Sequence, residues 1–106
     1  MNIKEITVQE LKSLFDGDKN FTLLDVREQF EVNIAKIEGS IHIPMSEIKN
    51  KLNELDLNDK IIVQCKSGIR SARICEYLVN NNFIDVKNLK GGIVAWSQEI
   101  DNSIEL

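Results

Sequence analysis

The sequence predicts an α/β domain with a mainly parallel central sheet of about five strands and helices on both faces. Short apolar segments alternate along the chain with segments whose apolar residues recur at helical spacing. Residues 21–26 are almost continuously apolar, which is typical of a strand covered on both faces. The 106 residues are enough for one core and too few for two, so we expect a single domain over residues 1–106.

The first strand and helix are predicted from local signals. Residues 3–6 are expected to form a short strand. Thr7 and Glu10 have the spacing of a capping box, which indicates a helix running to about Phe15. That helix should end at residues 16–18, where a glycine stands between two aspartates.

Two further strands and a short helix follow. Residues 21–26 are predicted to be the second strand, and apolar spacing predicts a short helix within residues 28–36. Residues 41–43 have the pattern of a third strand. Pro44 should end this strand because proline has no amide to donate to a continuing ladder.

The same alternation continues in the second half of the chain. Ser46 is expected to cap an amphipathic helix that runs to Leu55. Residues 61–64 are a β-branched run that predicts a buried strand. Residues 71–79 should form a helix whose apolar face consists of Ala72, Cys75, Leu78 and Val79.

The last elements are bounded by residues that tolerate left-handed backbone. Asparagines at positions 80–82 should end the preceding helix. Residues 86–89 are predicted to be the last strand, followed by a tight Gly91-Gly92 crossing and a helix over residues 93–98. Trp96, in this closing helix, is expected to pack against the sheet.

Composition indicates an ordinary soluble globular protein. Hydrophobic residues make up 42% of the chain and charged residues 28%. No apolar run approaches the roughly 20 residues of a membrane span, and the N-terminus lacks the apolar core of a signal peptide. We therefore expect a cytoplasmic protein that is not bound to a membrane and is a monomer or a weak dimer.

Several classes of site and partner are not expected. One histidine, His42, and two cysteines ten residues apart give neither metal-ligand spacing nor a disulfide framework, so no metal or cofactor is predicted. His42 is not expected to be catalytic. The net charge of -4 argues against a nucleic-acid partner. Lys66, Arg70 and Arg73 are nevertheless clustered, which suits a small anionic substrate.

Cys65 lies where the strand over residues 61–64 ends and a helix is about to begin. Backbone amides at a helix start point towards such a position and stabilise an anion there. These amides, with Lys66 and Arg70, should lower the pKa of the thiol and make Cys65 a nucleophile. Asp25 also follows a predicted strand, and ligands of open parallel sheets bind at that edge.

A free cysteine in a globular protein is usually a small core hydrophobe. Cys75 fits this description, because it falls on the apolar face of its helix, and no chemistry is assigned to it. The flanking Gly68 and two cations distinguish Cys65, although an inert Cys65 in a purely structural domain stays an alternative. Arg73 is expected to be a solvated helix residue.

Four segments in order, over nearly the whole chain, resemble those of a single-domain rhodanese. They are residues 24–28 (LDVRE), 37–44 (IEGSIHIP), 65–70 (CKSGIR) and 89–96 (LKGGIVAW). Glu31 stands where that family often has an acidic residue. The chain departs from the common pattern of the family at two places. Ala35-Lys36 replaces a common Gly-His pair, and Ser40 replaces a frequent alanine; these changes bear on the subfamily and not on the fold.

The resemblance implies a rhodanese-like fold and a sulfurtransferase. Cys65 would take the sulfane sulfur of thiosulfate, or of another persulfide donor, as a persulfide and pass it to a thiol or cyanide. The resemblance also implies two roles for residues of this chain: the loop binds the substrate, and three other residues support the loop. The binding residues are Lys66, Ser67, Gly68, Ile69 and Arg70, and the supporting residues are Asp25, Arg27 and Ser71.

Two other functions use a similar thiolate. A persulfide carrier would accept sulfur from a sulfur-relay protein, such as a cysteine desulfurase, and hand it to a biosynthetic enzyme. A cysteine-dependent phosphatase or arsenate reductase resembles Cys-x5-Arg, which would require arginine where Ser71 stands. The Cys65-x4-Arg70 loop is one residue shorter, which favours a sulfur atom over a tetrahedral phosphate.

Overall fold

The computed structural model describes residues 2–17 and 20–106. Met1, in the predicted domain, and Asp18, in the predicted helix end, lie outside the described residues. The elements are β1 (Glu5–Ile6), α1 (Val8–Asp16), β2 (Thr22–Asp25), α2 (Gln29–Ile34), β3 (Ile41–His42), a 3₁₀ segment (Met45–Glu54), β4 (Lys60–Gln64), α3 (Ile69–Asn80), β5 (Asp85–Leu89) and α4 (Gly92–Glu99).

The five strands form one parallel sheet in the order β1-β5-β4-β2-β3, which confirms the predicted fold class. The register pairs Asp25 of β2 with Gln64 of β4, and Val63 of β4 with Asn88 of β5. Since parallel strands share a direction, the carboxyl ends of β2, β4 and β5 meet at one edge. Cys65 follows β4 directly at this edge.

Helices cover both faces of the sheet. Because the side chains of a strand alternate between the two faces, each strand contributes to two core clusters. Ile61, Val63 and Cys65 belong to one core cluster, which α3 and the 3₁₀ segment complete. Ile62 belongs to the opposite cluster, which includes residues of α1 and Trp96 of α4. Within the described residues, no helix is long and apolar enough to cross a membrane.

The predicted capping box and glycine crossing are confirmed. Thr7 Oγ accepts from the Glu10 amide at 3.1 Å, and Glu10 Oε1 accepts from the Thr7 amide at 2.9 Å. Gly91 and Gly92 both have positive φ, at 78° and 59°. Asn82, with φ of 73°, supplies the left-handed residue that was expected after α3.

The predicted helix from Ser46 to Leu55 is wrong in type and in its cap. The segment is 3₁₀, Pro44 holds the cap position, and Ser46 already lies inside the first turn. The Glu47 amide donates to the Pro44 carbonyl at 2.8 Å, a bond that closes the turn before Ser46 can cap it. Lys51 then interrupts the segment with φ of -123°.

The predicted buried face of α3 is also partly wrong. The helix begins at Ile69, two residues earlier than expected, and its buried residues are Ser71, Ile74, Cys75 and Leu78. These positions follow the i, i+3, i+4, i+7 spacing of a helix face. Ser71 and Ile74 therefore take the places predicted for Ala72, which is only half-buried, and for Val79, which is 40% exposed. The earlier start brings Ser71 into the first turn, beside Cys65.

Candidate functional site

The loop after β4 turns sharply, and hydrogen bonds from backbone amides of α4 hold it in place. Gly68, with φ of 108°, precedes the first residue of α3. The Ile93 amide donates to the Cys65 carbonyl at 3.0 Å, and the Val94 amide donates to the Lys66 carbonyl at 3.1 Å. A Cβ at Gly92 would lie 2.4 Å from that Lys66 carbonyl oxygen, so only glycine allows this approach.

The sulfur of Cys65 faces the start of α3. The Gly68 amide donates to Sγ at 3.1 Å, the Ser71 amide approaches at 3.4 Å, and the Ser71 hydroxyl lies at 3.2 Å. Burial of the sulfur disfavours its charged form, but hydrogen bonds with the Ser71 hydroxyl and with the amides of Ser71, Gly68 and Ser67 outweigh it. The pKa of the Cys65 thiol is therefore lowered.

Asn88, at the carboxyl end of β5, joins the two sides of this loop. Its Nδ2 donates to the Gly68 carbonyl at 3.0 Å, and its Oδ1 accepts from the Ser71 hydroxyl at 2.5 Å. Asn88 is buried and was not among the residues predicted to form the site. The available signal was a polar residue near the end of a strand, at the edge where Asp25 and Cys65 also lie.

Arg70 is bound by Glu31 of α2. Its two terminal nitrogens donate to the two Glu31 carboxylate oxygens at 2.7 and 2.9 Å. Hydrogen bonding with Arg70 lowers the pKa of Glu31 to about 2 and raises that of Arg70. Lys66 is exposed and has no partner among the ion pairs of the described residues. Within the described part of the chain, an ion pair therefore compensates the charge of Arg70 but not that of Lys66.

Asp25 and Arg27 form a buried ion pair that holds α2. Arg27 Nε donates to Asp25 Oδ1 at 3.0 Å, and an Arg27 terminal nitrogen donates to Oδ2 at 2.8 Å. The same nitrogen donates to the Ala35 carbonyl at 2.8 Å, just after α2. His42 Nε2 lies 2.7 Å from the Arg27 carbonyl. The pair thus contacts the helix that carries Glu31, and its side-chain hydrogen bonds to other described residues go to that helix and the residue after it and not to Cys65.

An apolar groove of about 260 Å³ adjoins the loop. Its lining is Arg27, Phe30, Glu31, Ile34, Lys66 and Leu106. Phe30 and Ile34 are both 65% exposed, and Ile69, within the loop, is 69% exposed. Ser67 is exposed as well. The buried sulfur therefore lies in a loop with exposed polar residues, and exposed apolar side chains are contributed by Ile69 of the loop and by Phe30 and Ile34 of α2.

Three residues without an assigned role are where the sequence predicted them. Cys75 is fully buried in the core, and burial, with the nearby Cys65 charge, raises the pKa of its thiol to about 12. Arg73 is exposed. Trp96 is buried and packs edge-on against Phe15, with ring centroids 5.8 Å apart. These findings confirm the core interpretation of Cys75 and Trp96 and the solvated position of Arg73.

Known proteins are similar to this chain in sequence and in fold. The profile of the rhodanese-like domain matches residues 7–99. The candidate sulfurtransferase YtwF of Bacillus subtilis is 39% identical over 99 residues, 93% of this chain and 95% of YtwF. The candidate sulfur carrier protein YrkF of that organism is 36% identical over 91% of this chain, which spans 52% of YrkF. A crystal structure of a rhodanese-like domain protein from Staphylococcus aureus matches with a TM-score of 0.85 and 37% identity, covering 92% of this chain and 95% of that one.

Proposed function

The chain belongs to the rhodanese-like domain family, and we propose that it transfers sulfane sulfur from an anionic donor to a thiophilic acceptor through a persulfide on Cys65. The observation that carries this proposal is the set of hydrogen-bonding groups around Sγ. Two amides and a hydroxyl surround a sulfur that lies between a strand end and a helix start. This environment favours the thiolate, which is the nucleophile that sulfur transfer needs.

In the first half-reaction, the Cys65 thiolate attacks the outer sulfur of thiosulfate. A sulfur–sulfur bond forms to Sγ, the bond to the sulfonate sulfur breaks, and sulfite leaves with the electron pair. In the second half, a thiolate or cyanide attacks the terminal sulfur of the persulfide, and the Cys65 thiolate leaves. The chemistry is redox-neutral overall and predicts ping-pong kinetics.

The loop residues have distinct proposed roles. Amides of the loop from Lys66 to Arg70 would hold the terminal sulfur in the way that an oxyanion hole holds oxygen. Lys66, exposed and unpaired among the described residues, would attract the donor anion, with Ser67 and Ile69 beside it at the rim. Arg70 would contribute less than a free cation because Glu31 compensates its charge. Ser71 would support the loop directly, and Asp25 and Arg27 would support it through α2.

Mass spectrometry of the reduced protein tests this function. Thiosulfate should add one sulfur atom to the Cys65 peptide, and cyanide should remove it. Cys65→Ser should show neither change, whereas Cys75→Ala should behave like the unchanged protein. Cyanide-dependent turnover retained in Cys65→Ser would disprove sulfur transfer through Cys65. Cys65-dependent hydrolysis of an aryl phosphate would instead indicate a phosphatase.

A persulfide carrier that serves a protein partner is the second candidate. The exposed Phe30 and Ile34 of the groove beside the loop, and the exposed Ile69 of the loop itself, favour it, since exposed apolar surface commonly marks protein contacts. The similarity to YrkF points the same way. Fast loading of Cys65 from a protein or low-molecular-weight persulfide, together with slow loading from thiosulfate, would identify the carrier. Both candidates suit a reducing compartment such as the cytoplasm, which keeps Cys65 as a thiol.

A further inference from the structure

The Ser71 hydroxyl has two neighbours and a single proton to donate. Its oxygen lies 2.5 Å from Asn88 Oδ1 and 3.2 Å from Cys65 Sγ. The amide of Asn88 is oriented by its other end, because Nδ2 donates to the Gly68 carbonyl at 3.0 Å. Oδ1 must therefore face the serine as an acceptor, and the hydroxyl donates to it.

This arrangement leaves a lone pair of the Ser71 oxygen facing the sulfur. A Cys65 thiol can donate its S–H to that lone pair, which completes a chain from Cys65 through Ser71 to Asn88. A Cys65 thiolate needs a donor instead, so the hydroxyl must turn and leave Oδ1 without its proton. Asn88 and Ser71 are both buried, and an unpaired buried carbonyl is costly. Asn88 and the thiolate thus compete for one proton.

We propose that Asn88 is a positioning residue that decides whether Cys65 faces the proton or the lone pair of the Ser71 hydroxyl. By retaining the proton, Asn88 limits how far the Ser71 hydroxyl can lower the pKa of Cys65, so that the backbone amides of Gly68 and Ser71 carry most of that lowering. The proposal rests on the proposed function only for the importance of the thiolate. Its test is a titration of Cys65, which gives a result whether or not the protein transfers sulfur.

The first variant is Asn88→Ala, made in a Cys75→Ala background so that Cys65 is the single thiol. Loss of Oδ1 frees the Ser71 hydroxyl to donate to the thiolate, so the pKa of Cys65 should fall by about one unit. The ultraviolet absorbance of the thiolate as a function of pH measures this. Asn88→Val, a β-branched residue suited to a strand, has the same expectation and replaces the alanine variant if that one does not fold.

Ser71→Ala shows whether Asn88 acts through the hydroxyl. In the Ser71→Ala background, Asn88→Ala should change the pKa of Cys65 by less than about 0.3 units, because there is no proton left to redirect. An equal fall in both backgrounds, or a rise in either, would show that Asn88 acts through the Gly68 carbonyl and would overturn the proposal.

One arm of the test leaves Asn88 unchanged. Because Asn88 retains the hydroxyl proton, Ser71→Ala alone should raise the pKa of Cys65 by less than about half a unit. A rise of a full unit or more would show that the hydroxyl already donates to the thiolate in the unchanged protein. That result would also overturn the proposal.

Discussion

Cys65 and Cys75 lie ten positions apart, belong to the same core cluster and are 1% and 0% exposed, yet their thiols have opposite properties. Cys75 lies in the middle of α3, where the backbone amides already bond within the helix. Cys65 lies at the start of that helix, where amides have no helical partner and turn to the sulfur. Position relative to the helix start, more than burial, determines the acidity of each thiol.

The largest expected consequence is selective alkylation of Cys65. Its pKa is below the ordinary thiol value, whereas that of Cys75 is about 12. At pH 7 the thiolate fraction of Cys65 should therefore exceed that of Cys75 by a factor of about 1,000 or more. Peptide mass spectrometry after timed treatment with iodoacetamide measures the two rates separately. Comparable rates in the folded protein would contradict the comparison, and the unfolded chain, where both should react alike, is the control.

Replacing the glycine between Cys65 and α3 should have the next largest effect. Gly68→Ala places a side chain at φ of 108°, which costs about 1 to 2 kcal/mol of unfolding free energy. It also disturbs the Gly68 amide that donates to Sγ, so alkylation of Cys65 should slow by about tenfold. Alkylation kinetics and urea unfolding together test both effects.

Gly39→Ala is the matched control, because Gly39 has a similar φ of 89° and its nearest contact is the ring of Phe15. It should lower the unfolding free energy by about the same amount and leave Cys65 alkylation unchanged. If both glycine variants slowed alkylation equally, general destabilisation would explain the result and the amide would have no special part.

The difference between the two cysteines could be predicted from sequence because its causes are local. A β-branched run, a cysteine, a glycine and a helical pattern follow one another within residues 61–79. The rhodanese-like family could also be predicted from the sequence. Four motifs in order indicated it, and the family profile, which matches residues 7–99, confirms it. Thr7 and Glu10, three residues apart, defined the start of α1 in the same way.

Contacts that depend on strand order or packing could not be predicted. Asn88 meets Ser71 across 17 residues, because β5 lies beside β4 in the sheet. Arg70 meets Glu31 across 39 residues, because α2 lies against the loop, and nothing near Arg70 in sequence shows that its charge is compensated. The prediction that Ser46 caps a helix was wrong for a local reason, because Pro44 holds the cap position.

Glu31→Gln should have a smaller effect, and on Cys65 alone. Removal of the carboxylate leaves the Arg70 charge uncompensated near the sulfur, so the pKa of Cys65 should fall by a few tenths of a unit. Cys75, embedded in the core, should not respond. Alkylation rates from peptide mass spectrometry compare the two cysteines, and thiolate absorbance in the Cys75→Ala background measures the shift of Cys65. A higher pKa of Cys65 would contradict the assignment of charges.

Glu31→Gln should also change how the free energy of unfolding depends on pH. The pKa of Glu31 is about 2 in the folded chain and about 4.3 when unfolded, so the ion pair stabilises the fold above the unfolded value. Because Arg70 is about a third exposed, solvent screening limits this to about 1 kcal/mol. Urea unfolding should show that difference at pH 7 and its progressive loss as the pH falls from about 4.3 towards 2. A difference that persists at pH 2 would exclude the ion pair as its source.

Cys75→Ala should have no effect on the chemistry of Cys65. Removing the sulfur leaves a small cavity in the core, which should lower the unfolding free energy by about 1 kcal/mol. Burial, together with a smaller contribution from the Cys65 charge, raises the pKa of Cys75 to about 12, so Cys75 stays neutral at pH 7 and exerts no charge on Cys65 in return. Alkylation rate and pKa of Cys65 should therefore match those of the unchanged protein. A shift in either would mean that the two thiols act on each other, and that Cys75 belongs to the site and not only to the core.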